Sequence, residues 1–297
     1  VITPSSASRP AAHSSTALLV VALLIFDSLH FVFARLLLPH IEPRASALYV
    51  MVISTIEVGA FGVVTGRLHW GAVGKHFGFF AAIGTLIGVN MSIHYEAMAF
   101  IDPGTASLIN QTAVLFGLGL GVFWLKDRLG PLQVGGALLA LAGVFVIYFQ
   151  PGDYLRLGAL LIVVASLAYA LHAALTKRYG GEITLVDFFF FRLLFTSVAL
   201  VVIVTIRGAF IWPTPKAWAL ILLVGTVDIA LSRTLYYLAL RRLSMSIHTI
   251  TLTLSPIAAT LWAYLLFGAK PGLQQALGGS AILAGVFIVS LGRSRNR

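Results

Sequence analysis

Ten apolar runs, each long enough to cross a bilayer as a helix, follow one another along the chain. They lie near 17–38, 46–66, 77–99, 104–124, 131–149, 158–177, 184–206, 217–239, 245–267 and 273–291. A hydrocarbon core of roughly 30 Å needs about 20 apolar residues of helix. The separators are loop-like, among them Pro39 to Pro43, Asp102-Pro103-Gly104 and Gly268 to Gly272. Links after the third, fourth, eighth and ninth runs are so short that their neighbours must form antiparallel hairpins. Residues 1–16, rich in Ser, Ala and Pro, read as a disordered tail. The run after them reads as a first span and not as a signal peptide, because nine more such runs follow. The pattern predicts an all-α membrane protein of ten transmembrane helices.

Sliding the chain against itself by 142 residues superposes its halves without a gap. Leu141-Ala142-Gly143-Val144-Phe145 falls on an identical Leu283-Ala284-Gly285-Val286-Phe287, and Gly136 falls on Gly278. His30 pairs with His172, Arg35 with Lys177 and Trp70 with Trp212. The predicted organisation is a first five-helix repeat over 17–149, a second over 158–291, and a basic tail over 292–297. Five is odd, so the second copy enters the membrane from the opposite side, giving two inverted repeats around a central cavity. Such repeats recur in secondary transporters, where exchange of two equivalent shapes gives alternating access. They also occur in channels.

Composition agrees with the pattern. Hydrophobic residues make up 59% of the chain and charged residues 10%, against about 25% charged in soluble domains. Lys and Arg number 20 against 10 Asp and Glu. In a soluble protein that balance suggests nucleic acid; here the positive-inside bias explains it, and nucleic acid is not an expected partner. Twelve of the 20 basic residues fall on one side of the predicted topology and six on the other. The expectation is therefore a multi-pass protein of the cytoplasmic (inner) membrane with both termini cytoplasmic. There is no cysteine, which excludes thiol catalysis, disulfides and thiolate metal sites.

The run Tyr237-Leu238-Ala239-Leu240-Arg241-Arg242, then Ser255-Pro256, Gly278 and Ala284-Gly285-Val286, resembles the EamA-type repeat of the drug/metabolite transporter superfamily. The first half repeats it more loosely, from Tyr95 through Ala97 and Gly136 to Ala142-Gly143-Val144. The resemblance covers nearly the whole chain after Ser15. It implies a ten-helix bundle around a cavity and transport of amino acids, other metabolites, sugars or drugs, often outward. There are two departures. Gly268-Ala269-Lys270 lacks the acidic residue the family often carries before its last helix, although Asp127 stands in the first copy. Ser255-Pro256 corresponds to Ala113-Val114, which leaves a proline hinge to the second half alone. The glycines have their own physical reading. Gly117, Gly119, Gly121, Gly135, Gly136, Gly143, Gly278, Gly279 and Gly285 offer small-residue faces for close helix contact, either inside the protein, the favoured reading, or between two protomers.

Ionisable and polar residues inside spans are functional candidates by default. Asp27 and His30 lie three apart on one face of the first span, where the pair could load and release a proton. Tyr169 and His172 hold the equivalent positions in the sixth. Asn90 and His94 share a face of the third span; Ser107, Asn110 and Gln111 lie in the fourth; His248 and Ser255 lie in the ninth. In the eighth, Asp228, Ser232 and Tyr236 share a face, and Arg233 points elsewhere, nearer Tyr237. Glu57 and Arg192 are the remaining buried charges. An Arg can grip a carboxylate bidentately and an acid an amine, which suits a zwitterion. Equally, Arg192, Arg233, Glu57 and Asp228 could neutralise one another.

The residues expected to bind substrate or couple its movement are Asp27, His30, Asn90, His94, Asn110, Tyr169, His172, Asp228, Arg233, Tyr236 and His248. The expected partners are a small-molecule solute, protons as a candidate coupling ion, and the lipid bilayer; no cofactor and no metal are expected. The leading reading is a secondary transporter exporting an amino acid or similar metabolite by proton antiport or exchange. An intramembrane enzyme is the alternative, although no nucleophile elbow, HExxH or phosphate loop is present. A channel or lipid flippase on the same scaffold is a further reading. The residues themselves do not distinguish import from export, nor monomer from oligomer.

Overall fold

The computed structural model describes residues 11–124, 130–148, 153–181, 183–242 and 245–295, without the side chains of 11–17, 148, 153–156, 237, 240–242, 245–251 and 292–295. Asp127 and the side chains of Tyr237 and His248 lie outside the described residues. All regular structure among the described residues is helical. The first span is α1 (Ala11–Ser28) running into α2 (His30–Leu37), the second α3 (Pro43–Val64). A short α4 (Gly71–Lys75) leads to the third span, α5 (Phe77–Ala97); the fourth is α6 (Pro103–Asn110) with α7 (Thr112–Phe123), and the fifth α8 (Pro131–Tyr148). The sixth and seventh are α9 (Asp153–Tyr179) and α10 (Leu185–Ile206). The eighth is α11 (Pro215–Val224), a π-helical segment (Gly225–Leu231) and α12 (Ser232–Arg242). The ninth and tenth are α13 (Met245–Phe267) and α14 (Leu273–Arg295). Eight of these are long and apolar enough to cross a membrane, and the fifth and ninth add shorter apolar helices, Pro131–Ile147 and Leu252–Phe267.

Local chemistry fixes the helix ends. Glu42, Asp102 and Thr214 each stand before a proline, and each side chain accepts a backbone N–H, from Ala45, Thr105 and Ala217 respectively. The proline opens the first turn, where its missing N–H costs nothing. At the other end, the second and seventh spans both stop at a left-handed glycine, Gly66 at φ 62° and Gly208 at φ 61°. These two positions are 142 apart, so the repeat extends to the turns.

The packing is symmetric under exchange of the halves. The first span packs on the eighth and ninth, and its counterpart, the sixth, on the third and fourth. The second packs on the seventh, the fourth on the ninth and the fifth on the tenth. Residues related by the 142-residue offset meet near the axis of this exchange: the Thr55 and Ser197 hydroxyls lie 3.0 Å apart. Between α8 and α14 the small-residue seam closes twice. A Cβ on Gly136 would stand 2.6 Å from the Gly285 carbonyl oxygen, and one on Gly143 would stand 2.5 Å from that of Gly278. The seam is thus internal, as expected. Gly279 packs on Leu108, but Gly117, Gly119 and Gly135 meet nothing within 4 Å. Those three face away from the helices they were expected to join.

Only 33% to 50% of each long span is buried, so much of the surface is apolar side chain such as Val64, Phe123 and Leu277, suited to lipid. Aromatic clusters mark the ends: Tyr49, Trp212 and Trp218 at one, Trp70 edge-on to Phe190 and Phe191 at the other. Both fit the interfacial belt.

Breaks in the spans are not written in the apolar pattern. At Leu29 and Gln111 the backbone tightens to i→i−3 bonds, Leu29 N–H to Phe26 and Gln111 N–H to Leu108. Pro256 inside α13 leaves the Leu252 carbonyl without a helical donor, and the Gln111 amide Nε2 donates to it at 3.3 Å. The broken fourth span therefore satisfies its pseudo-symmetric partner, in a medium with no water to do so.

Candidate functional site

The π-helical segment of the eighth span builds the centre of the site. Gly225 lets this segment approach the second span, where a Cβ would meet Ile53 Cγ2 at 3.0 Å. Ser54 donates to the Gly225 carbonyl at 3.0 Å, and the Thr226 hydroxyl to Glu57 Oε1 at 2.5 Å. With both anchored, Asp228 faces the interior and is fully buried.

Its carboxylate does not stand alone. Asp228 Oδ2 lies 2.8 Å from His30 Nδ1, His30 Nε2 lies 3.4 Å from His94 Nδ1, and His94 Nε2 lies 3.3 Å from Asn90 Nδ2. Hydrogen positions along this line follow from its far end. Asn90 Nδ2 donates to the Ala165 carbonyl at 2.8 Å, which fixes the amide as a donor. His94 Nε2 then accepts from Asn90, His30 Nδ1–H donates to Asp228, and the His94 ring, which faces His30 Nε2 through Nδ1, also has the Asn110 side chain as a partner. The line runs from the third span through the first to the eighth, with bonds of unequal strength: the Asp228 contact is short and charge-assisted, the two imidazole contacts are long. Phe31 packs edge-on to His30 and tilted on His94, shielding both rings. Asp228 Oδ1, Ser232 Oγ and Tyr95 Oη are buried here with no hydrogen-bond partner.

A less buried pair lies within electrostatic reach of this line. Arg233 Nη1 lies 3.6 Å from Asp27 Oδ1, and the two side chains keep 22% and 18% of their surface accessible, against 0% for that of Asp228. Tyr169, Asp228 and Tyr236 lie within electrostatic reach of Arg233. Tyr169 is exposed, its ring 5.8 Å from that of His172. Asn110 accepts from the Ser166 hydroxyl at 3.1 Å, and Trp262 Nε1 donates to Ser28 at 3.2 Å, tying the first span to the ninth beside Asp27.

Several sequence expectations change. The imidazole of His30 takes Asp228 as its acid at 2.8 Å, not Asp27, whose carboxylate pairs with Arg233 across to the eighth span. Asp27 is paired with Arg233, which faces the site with Asp228 and Tyr236 and does not point away from them. Among the described residues no direct ion pair joins Arg192, Arg233, Glu57 and Asp228: Asp228 bonds to His30, Arg233 pairs with Asp27 and has Asp228 only within electrostatic reach, Glu57 accepts from Thr226, and Arg192 sits over the Phe189 ring at 5.3 Å. The Asn90–His94 spacing does bring that pair together. Not anticipated were Tyr95 and Ser166, whose place follows from the helix faces of Asn90 and Asn110, and two pairs near the span ends. His69 donates through N–H to Asp187 at 2.7 Å and lies 3.0 Å from it through Nδ1; Arg44 is bonded to Glu96. Among the described residues no three His, Asp or Glu converge as a metal site requires.

An uncharacterized transporter of Clostridium kluyveri is 24% identical over 228 residues, covering 72% of each chain. A probable terminal-alkyne amino-acid exporter of Streptantibioticus cattleyicolor is 25% identical over 200 residues, covering 66% of this chain and 67% of its own. A solved crystal structure superposes with a TM-score of 0.64 at 18% identity, over 96% of this chain and 99% of the other, which shows a shared fold. The EamA-like transporter family matches residues 14–149 and again residues 156–291. Matched twice over nearly its whole length, this multi-pass membrane protein belongs to the EamA-like transporter family of the drug/metabolite transporter superfamily.

Proposed function

We propose that the protein exports an amino acid or similar zwitterionic metabolite across the cytoplasmic membrane, by alternating access in exchange for protons. The observation that carries this reading is the layering of the site: a less buried Asp27–Arg233 pair within electrostatic reach of a buried Asp228–His30–His94–Asn90 line. A loose ion pair can open to receive a zwitterion, with Arg233 gripping the solute carboxylate and Asp27 its ammonium. The unused Asp228 Oδ1 gives an arriving proton a place, and the imidazole line connects it to the third span. The amino-acid exporter among the relatives supports the solute class.

Alternating access follows from the exchange symmetry. When two five-helix units, 17–149 and 158–291, swap shapes about the axis through Thr55 and Ser197, the site opens to the other face. The basic excess on one side supports a cytoplasmic position for both termini.

Counterflow in proteoliposomes tests the reading. Vesicles preloaded with an unlabelled amino acid mixture should accumulate a labelled amino acid transiently and with saturation, and the label should be recovered chemically unchanged. Flux without saturation or counterflow would make the protein a channel, a modified solute an enzyme, and scrambling of labelled lipid in place of solute flux a flippase.

A further inference from the structure

One strong charge in the membrane is used by nothing described so far. Arg192, in the seventh span, is 8% exposed, and its Nε is buried without a hydrogen-bond partner. Among the described residues no carboxylate pairs with it; its guanidinium lies over the face of Phe189, within the run Phe188 to Phe191. A ring face attracts a cation but accepts no set of N–H bonds from it. His172, in the sixth span, is 6% exposed, and its Nδ1 is likewise buried and unpartnered. Its Nε2 lies 3.5 Å from the Thr176 hydroxyl, so a neutral ring accepting there presents Nδ1–H as a free donor.

The two groups are at one depth. His172 stands seven residues before the end of α9 at Tyr179, and Arg192 seven after the start of α10 at Leu185. At 1.5 Å per residue each is about 10 Å into the membrane from the same face. His172 lies within electrostatic reach of both Arg192 and Arg233. A buried guanidinium without an anion is among the costliest groups a membrane protein can hold. Its retention beside a second unsatisfied donor is accounted for by an anion that comes and goes.

We propose that Arg192 and His172 form an anion subsite, separate from the Asp27–Arg233 pair, that takes a carboxylate of the solute. The planar fork of arginine matches a carboxylate with two parallel N–H bonds, and His172 Nδ1–H, at the same depth on the sixth span, is a further donor. The consequence for the transported class is specific: a solute bearing an acidic group beyond its zwitterionic one engages both arginines. The inference names a second group on the solute of the site described above and rests on that reading for its physiological meaning, but it is tested without transport.

Isothermal titration of the detergent-purified full chain with succinate, with succinamide as the neutral control and inorganic phosphate as the competing anion, tests it. Succinate should bind the wild type and succinamide should not. Arg192→Gln should weaken succinate at least about tenfold, as for loss of a charge-assisted bidentate contact, and Arg192→Lys should retain part of the binding. In case the glutamine variant does not fold, Arg192→Met fills the place without charge. It should raise the melting temperature in the absence of succinate and abolish the rise that succinate gives the wild type. Equal succinate binding by the wild type and Arg192→Gln, preference for phosphate, or a melting temperature of Arg192→Met at or below the wild type's would overturn the subsite. So would a wild type that ignores succinate, while amino-acid counterflow would still stand on its own.

Discussion

His30 Nδ1 stands 2.8 Å from Asp228 Oδ2, joining a buried imidazole of the first span to a fully buried carboxylate of the eighth. A buried charge that loses its partner is far costlier than a pair lost together. His30→Ala and Asp228→Ala are each expected to destabilise the protein, His30→Ala by about 3–5 kcal/mol because it strands the carboxylate. The double variant should recover part of that loss. Thermal unfolding in detergent, arranged as a double-mutant cycle, measures the coupling; additive losses would mean the two groups do not interact.

The second pair should behave differently. Asp27 and Arg233 are 3.6 Å apart and less buried than Asp228, so losing one partner costs less than it does at Asp228, and their proposed value lies in the solute. Asp27→Asn should lower the melting temperature less than His30→Ala does, and raise the half-saturating amino-acid concentration about tenfold, the loss of one hydrogen bond to a charged group. Flux against concentration in proteoliposomes separates the two effects.

The Gln111 side chain answers a proline. Its Nε2 donates to the Leu252 carbonyl that Pro256 leaves without a helical donor. Gln111→Leu should cost about 1–3 kcal/mol for the stranded carbonyl, and adding Pro256→Ala, which restores the helical donor, should return most of it. Melting temperatures of the two single variants and the double decide this.

The glycine seam offers a matched set. Gly136→Ala and Gly285→Ala would push a methyl against backbone atoms 2.4–2.6 Å away, and each should destabilise by about 1–3 kcal/mol through overpacking. Gly135→Ala and Gly117→Ala, where nothing lies within 4 Å, should be neutral or slightly stabilising, since alanine is the better helix former. If all four variants melt alike, α8 and α14 do not pack through this seam.

The fold was largely legible because a bilayer imposes a simple pattern, and because the halves repeat residue for residue. The same 142-residue step that matches Gly136 with Gly278 also relates Gly66 to Gly208, the stops of two equivalent helices. It relates Thr55 to Ser197 as well, which meet because residues on a two-fold axis face their own counterparts. The site was legible in its members more than in its partnerships. Asn90 and His94 are found by helical spacing, since both sit on one straight helix. Asp27 and His30 satisfy the same spacing rule, yet each takes its partner from the eighth span. That span carries a π-helical segment ending at Leu231, which shifts the face of every residue after it. A period of 3.6 cannot anticipate that shift, and so Arg233 was turned away from the site that it enters. Nor does spacing show that Arg192 lacks an acid, because pairing between helices depends on their packing.

The central claim is that solute movement is tied to protonation at Asp228. The most direct measurement is proton flux per solute in proteoliposomes carrying a pH indicator inside, for the wild type and Asp228→Asn. The wild type should move protons opposite to an imposed amino-acid gradient. Asp228→Asn should lose that proton movement while keeping amino-acid counterflow. Undiminished proton flux in Asp228→Asn, or amino-acid flux in the wild type with no movement of protons, would contradict it.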